Sequence, residues 1–535
     1  MNIKLFLKKN RVFAVATLCF LIWLIFLVIL STVAQREVIF YDALSQKDVS
    51  SDYSSKLPLA RYLLEPLIGV AFAFGGGYDF ITAIVITFII FRIIYFVAKK
   101  RGFEPSEKAK LLWIPIKDII RFSFLVIGIL VLLGVITVLI MYLTTGLFYV
   151  SLHFMVIIQV IIVICFILLG IKIALILMKG LHPNLKLNYS EKKRYKVPER
   201  KTTASRISRI TRRETSYLFG IILLLAGTNL ILLSTYFPTH YIETDLEDDE
   251  ILLDFHVHTT YSDGWVSAEE RVLWYINHGI HGAAFSDHDN LRGSIAAQKF
   301  VEKYDLDFIV IPSEEWTDHE NNIHMNIFGL DETLVPLESE VPNGPKAMNA
   351  EDTIEYVKKE GGYIVVDHYN INENPDGGLG TPYSYEELRD WGVDGFEIVN
   401  GGGVRALEIR QFCLDNNLIC IAGSDCHTNE DLNTLIKLRL DDPDDLSVDN
   451  IFQNLYRNDH EVIAINLNPN DITIPALLDD LGFGFLEDII EYFLNVDSFQ
   501  VLSWIIWSCG GYLLFFITFR KIKKLDLDRL RENIL

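Results

Sequence analysis

No Cys-x-x-Cys pair and no Gly-x-Ser-x-Gly run occurs anywhere in the 535 residues. The six cysteines are scattered. Cys19, Cys165 and Cys509 fall in apolar runs, and Cys413, Cys420 and Cys426 fall in an acidic stretch, so a disulfide framework is not expected. The missing serine motif removes hydrolases built on a nucleophile elbow. Basic charge is scarce where it would matter for nucleic acid. Residues 238–498 carry 54 acidic and 13 basic side chains, a net of −41, against +20 for the remainder. General nucleic-acid binding is therefore not expected, although a local basic pocket is not excluded.

Half of the residues are hydrophobic, which for an acidic chain indicates membrane spans beside a folded domain. Residues 12–34 can span a bilayer as a helix. Lys8, Lys9 and Arg11 precede them without a convincing cleavage pattern, so they read as an anchor. Further spans are expected at 80–98, 122–143, 153–178, 217–237 and 499–519. Residues 57–77 are interrupted by Pro58, Arg61, Glu65, Pro66 and a glycine run, and read as interfacial or re-entrant. This gives about five helices in a membrane region at 1–237 and one more at 499–519. Basic residues at 8–11, 99–101, 179–213 and 520–524 then fall on one side. The positive-inside rule puts both termini in the cytoplasm and the acidic domain outside it. Arg92 and Lys172 are the ionisable exceptions within the spans, each near an end. An anchor is the expected role rather than a transporter.

From residue 250 short apolar runs alternate with amphipathic ones. Strands are expected at 251–255, 282–285, 308–311, 323–328, 363–366, 395–399 and 418–422. Helices are expected at 293–303, 351–360 and 404–415, and a capping box at Ser267-Ala-Glu-Glu270 opens another that runs to about 277. Repeated βα alternation favours a parallel sheet or a barrel, and in a barrel the strand C-termini share one face. The polar clusters stand at those ends. His256 and His258, two apart on a strand, point the same way. Ser286-Asp-His-Asp289, Ser313-Glu-Glu-Trp-Thr317, Asp367-His368 and Gly423-Ser-Asp-Cys-His427 end later strands, and His324 stands on a short one. Buried histidines and carboxylates in such numbers need partners, and shared metal ions would satisfy them together. Gly401-Gly-Gly403 reads as a flexible turn, and His278, His281 and His319 as surface or helix-end residues.

These residues resemble the PHP family (polymerase and histidinol phosphatase) over about 250–470. The opening motif His-x-His-Thr-x-x-Ser-Asp-Gly stands as His256 to Gly264. Asp287-His288-Asp289, Glu315-Trp316-Thr317, His324, Val393 to Glu397 and Gly423 to His427 follow in order. The Ala-His-Pro motif is altered to Asp367-His368-Tyr369. The resemblance implies an α/β fold, a distorted (β/α)7 TIM-like barrel; the all-α multi-span membrane region attached to it lies outside the resemblance. The resemblance implies two or three divalent ions, zinc, manganese or iron. His256, His258, Glu315 and Asp425 would hold one ion. Glu315 as a bridge, with His324 and His368, would hold a second, and Asp263, His288 and His427 a third. Glu314 precedes Glu315 where a small or apolar residue is usual. Asp287 and Asp289 are expected to orient ligands rather than bind metal.

The expected activity is hydrolysis of phosphate esters by a metal-bound hydroxide, with Asp425, His427 and His288 acting on the reaction through that water. Arg292 and Arg405 are candidate phosphate clamps. The expected partners are a phosphorylated substrate and the bilayer. A metal-dependent amide or ester hydrolase and a metal-binding sensor ectodomain are the alternatives.

Overall fold

The computed structural model describes residues 11–33, 35–72, 77–102, 107–146, 240–369, 380–405, 407–429, 431–480 and 483–532, with isolated positions and short runs between 157 and 222. Its centre is a mixed α/β sheet of twelve strands. Seven of them matter for the site: β1 (Glu250–Val257), β2 (Gly282–Phe285), β3 (Ile309–Asp318), β4 (Ile323–Phe328), β5 (Tyr363–Val366), β6 (Gly395–Asn400) and β7 (Ile419–Gly423). β1, β2 and β3 pair in parallel, as do β5, β6 and β7. Just beyond β7 the chain returns to β1. Val257 and Cys426 form a parallel bridge, Asp425 N donates to His256 O at 2.9 Å, and His258 N donates to Cys426 O at 3.2 Å. Each of the seven strands therefore has a neighbour on both sides.

One strand runs against the expected parallel order. β4 is antiparallel to both β3 and β5. The reason is local: β3 runs on to Asp318, past the expected end at 311, and only residues 319–322 separate it from β4. Four residues make a hairpin, whereas a parallel return needs a crossover of about a dozen. The helices follow the capping signals. Helix α1 (Ala268–His278) opens with the Ser267–Glu270 capping box and closes on Gly279 at φ 83°. Helix α2 (Arg292–Tyr304) follows β2, and the helix expected at 404–415 is Leu407–Asp415, because Gly403 and Val404 pair back onto β6.

The chain before the domain also enters the sheet. Ile39–Asp42 pairs antiparallel with Glu461–Asn466, and Phe40, 1% exposed, stacks on Tyr53 at 5.1 Å between ring centroids. Among the described residues two helices are long and apolar enough to cross a membrane, Phe13–Val33 and Ser498–Ile517. They pack together through Phe20 on Tyr512 (4.1 Å), Thr17 Oγ1 to Tyr512 OH (2.8 Å) and Trp23 Nε1 donating to Ser508 Oγ (2.9 Å). The expected spans at 80–98 and 122–143 lie in helices Gly77–Lys100 and Glu107–Thr145, whose apolar stretches are shorter, Ile84–Ala98 and Gly128–Thr144. Those at 153–178 and 217–237 fall largely outside the described residues. Within 57–77 the helix Leu59–Phe72 carries Pro66. Its Arg61 donates to Asp431 at 2.6 Å, which ties it to the domain after residue 240.

Because Phe40 fills the sheet from outside the domain's own sequence, Phe40→Ala is expected to lower the stability of that domain by about 3–5 kcal/mol. Thermal unfolding of the purified chain, followed by near-UV signal, checks this.

Candidate metal centre

The strand ends bring the expected ligands to one place, around one carboxylate. On β3, Glu315 and Glu314 point to opposite sides, as successive strand residues must. Glu314 turns outward and accepts from Leu334 N at 2.7 Å, and burial pushes its pKa up to about 8. Glu315 turns inward. Its Oε2 lies 3.4 Å from His256 Nε2, 3.2 Å from His258 Nε2 and 2.9 Å from His288 Nδ1. Its Oε1 lies 2.6 Å from His324 Nδ1 and 3.3 Å from His368 Nε2. One carboxylate thus faces five imidazoles, three on one oxygen and two on the other.

Asp425 completes the first group, with Oδ1 3.1 Å from His258 Nε2 and 3.5 Å from His256 Nε2. His256 Nε2 and His258 Nε2 are 3.0 Å apart. Four donors around an ion at about 2.0–2.2 Å would sit roughly 3.3–3.6 Å from one another, close to the spacing of this set. A further group joins Asp263 to His427 Nε2 at 3.2 Å and to His288 Nε2 at 3.6 Å, with His258 stacked on His427 at 4.2 Å. The donors are the imidazole and carboxylate mixture that zinc, manganese and iron accept. The residues present fit a cluster of divalent ions.

No family model matches the sequence, and no curated protein is similar to it. Among solved structures, a two-domain protein of Bacteroides vulgatus containing a predicted PHP-like metal-dependent phosphoesterase is similar at 22% identity, with a TM-score of 0.33. The match covers 41% of this chain and 66% of that one, just under two thirds. A protein of Bifidobacterium adolescentis described as a candidate metal-dependent phosphoesterase is similar at 18% identity (33% and 87% covered, TM-score 0.26). An amidohydrolase of Chromobacterium violaceum with bound sulfate and no metal is similar at 14% (33% and 87% covered, TM-score 0.24). All three TM-scores are low. The chain resembles the PHP-type metal-dependent phosphoesterases.

Around the candidate ligands stands a layer of polar groups, to most of which the sequence pattern assigned no role. His256 Nδ1 donates to Glu397 Oε1 at 2.9 Å, while Glu397 Oε2 accepts from His368 N at 2.9 Å and Asn400 Nδ2 at 3.1 Å. Such a carboxylate fixes the ring orientation of a metal-binding histidine. The signal was present: Glu397 is the acidic residue in an otherwise apolar strand. Asp254, equally out of place among apolar neighbours, accepts from Tyr275 OH (2.7 Å) and Ser424 N (2.9 Å) and locks β1 to the loop of Asp425. Asp287 ties the loop that follows His258. It accepts from Thr259 N at 2.8 Å and from Ser262 Oγ at 2.7 Å.

The backbone is strained here. His368, Asp289 and Asp425 have φ of 27°, 52° and 52°. Each such residue costs about 1–3 kcal/mol, and the cost is tolerated because it aims a side chain. Gly423 is required for another reason. A Cβ there would stand 2.2 Å from both Glu397 Oε1 and His256 Cβ.

Of the two candidate clamps, Arg405 lines the cavity of about 400 Å³ beside His324, His368 and Asp425, whereas Arg292 lines a separate groove with Tyr261, Lys299 and Lys303. The expectation for His278 needs correction. It ends α1 but is fully buried, because Nδ1 donates to Trp274 O (2.9 Å) and Nε2 accepts from Leu432 N (3.3 Å). His278, His240 and Asp431 form a second histidine–carboxylate group. There His240 Nε2 bonds Leu432 O and Asp431 pairs with Arg61, so the group's donors are already engaged.

Metal-free, the cluster holds protons. Burial alone would lower His288, but hydrogen bonds with Asp263 and Glu315 outweigh it and hold the imidazole up to about 10. Burial would raise Glu315, but the charge of His256 and contacts from His258 and His288 pull it well below the usual range. His288, raised above its unfolded value of about 6.5, stabilises the metal-free fold fully below that pH and loses the contribution toward pH 10. The melting temperature in chelator is therefore expected to fall between pH 6.5 and 10. With saturating Mn2+ the fall should be smaller, because metal affinity rises as imidazoles deprotonate. Glu397→Gln is expected to weaken metal affinity about 10- to 100-fold, read by competition with a fluorescent chelator.

Proposed function

We propose that this chain is a membrane-anchored metal-dependent phosphoesterase, built on a closed, distorted (β/α)7 barrel, that hydrolyses phosphate esters. The observation that carries the reading is Glu315, one buried carboxylate with imidazoles on both oxygens. His256, His258, Asp425 and Glu315 would hold one ion, Glu315, His324 and His368 a second, and Asp263, His288 and His427 a third. Two or three zinc, manganese or iron ions, when bound, supply Lewis acidity and a water activated at neutral pH.

The chain's own side chains do the rest. Glu397 keeps the proton of His256 on Nδ1 and so leaves Nε2 free to bind. We assign Asp425, His427 and His288 to the water's side of the reaction. Arg405 supports a phosphate rather than a carbonyl substrate. One guanidinium N–H donates to Asn400 Oδ1 at 3.0 Å, and its buried Nε has no partner while the side chain lines the cavity. A guanidinium so held can take up phosphate oxygens in a fixed geometry.

The apolar helices Phe13–Val33 and Ser498–Ile517 support anchoring on both sides of the domain. Lys8, Lys9 and Arg11 before the first and Arg520 to Lys524 after the second support cytoplasmic termini and an extracytoplasmic domain, a placement that any even number of spans between them preserves.

The test is phosphate release by the full-length chain in detergent from monoesters and diesters, beside a carboxylic ester and an amide, with and without chelator. Arg405→Ala is expected to lower kcat/KM for phosphate esters about 10- to 100-fold, mainly through KM, with bound metal unchanged. Chelator-sensitive cleavage of the ester or amide without phosphate release would replace this reading with that of a carbonyl hydrolase. Metal without any hydrolysis would favour a sensor.

A further inference from the structure

The altered motif residue Asp367 carries an inference that rests on the metal-dependent reading. It follows β5 directly, is 2% exposed, and lines the same cavity as His324 and His368. Four other carboxylates surround the centre, and each is engaged. Asp263 faces His427 and His288. Glu315 faces the imidazoles, Asp425 faces His258 and His256, and Glu397 receives His256 Nδ1, His368 N and Asn400 Nδ2. Asp367 differs, because neither of its oxygens has a hydrogen-bond partner. His256 Nδ1 lies 3.9 Å from Oδ1, and its proton is already directed at Glu397.

A buried carboxylate with two unused oxygens is costly unless a cation uses them. The residue is not forced there by packing, because a small apolar side chain would leave no unpaired group. We propose that Asp367 is an additional carboxylate ligand of the centre, standing with His256 and Glu397 on the side that lines the cavity. It would add an oxygen donor to the set of imidazoles and carboxylates. This set favours a harder cation of higher coordination number, Mn2+ or Fe2+, over four-coordinate Zn2+.

The full-length chain and its Asp367→Asn and Asp367→Ala variants would be stripped with chelator, checked for fold by circular dichroism, and titrated separately with Mn2+ and Zn2+. Bound metal per chain and melting temperature would be measured at each step. In chelator Asp367→Ala is expected to melt higher than the parent, since the buried carboxyl group without a partner is gone. With Mn2+ the affinity of both variants is expected to fall about tenfold or more, with a smaller metal-induced rise in melting temperature and a lesser effect for Zn2+. Unchanged Mn2+ affinity and stoichiometry in the variants, with metal taken up by the parent, would overturn the role of Asp367 alone. An equal loss for Zn2+ and Mn2+ would overturn the proposed metal preference. If the parent takes up no metal, the underlying reading fails, and this one with it.

Discussion

A single carboxylate, Glu315, holds the site together by standing between two sets of imidazoles. His256, His258 and His288 face one oxygen, and His324 and His368 face the other. Burying so many ionisable groups is unfavourable unless charges are matched and hydrogen bonds are complete. Metal-free, the carboxylates favour protons on His256, His288 and His427. With metal, cations take over that role. The same residues therefore govern both stability and chemistry, and the two cannot be tuned separately.

Some of the fold's irregularities lie at this pairing. Three of the nine non-glycine residues with positive φ among the described residues, His368, Asp289 and Asp425, stand in these motifs, and a bulge interrupts β6 beside Glu397. Gly423 lets β7 pass against His256 and Glu397 without a side chain between them. These are local costs that a purely structural barrel would avoid. They are sustained because strands on both sides fix the backbone, and Asp254 and Asp287 tie the loops by their carboxylates.

The catalytic sheet and the apolar helices are not independent. The strand Ile39–Asp42 adds an edge to the sheet directly after the first apolar helix, and Arg61 reaches Asp431, four residues beyond His427. The ion pair has few competing waters, with both side chains largely buried. The loop that carries Asp425 and His427 is held from the other side by Arg271, whose guanidinium donates to Cys426 O and Thr428 O, each at 3.1 Å.

Much of the domain was legible in the sequence. Short apolar runs placed the seven strands, the Ser267 box placed α1, and histidines at strand ends marked the site. These signals are local, set by which face a side chain takes and which residue can cap a helix. The direction of β4 was missed because a four-residue connection between two strand signals was read within a βα pattern. The roles of Glu397 and Arg271 were missed because each acts on residues far away in the chain, His256 and the loop at 426–428. Residues 39–42 joined a sheet more than 400 positions away for the same reason. By itself the sequence determined which residues are available to bind metal and which strands present them. Only the tertiary structure decided that Glu315, not Glu314, turns inward, that Arg405 rather than Arg292 lines the metal cavity, and that Asp367 keeps two oxygens free. Those outcomes depend on distances between strands, and spacing along the chain carries no information about distances across it.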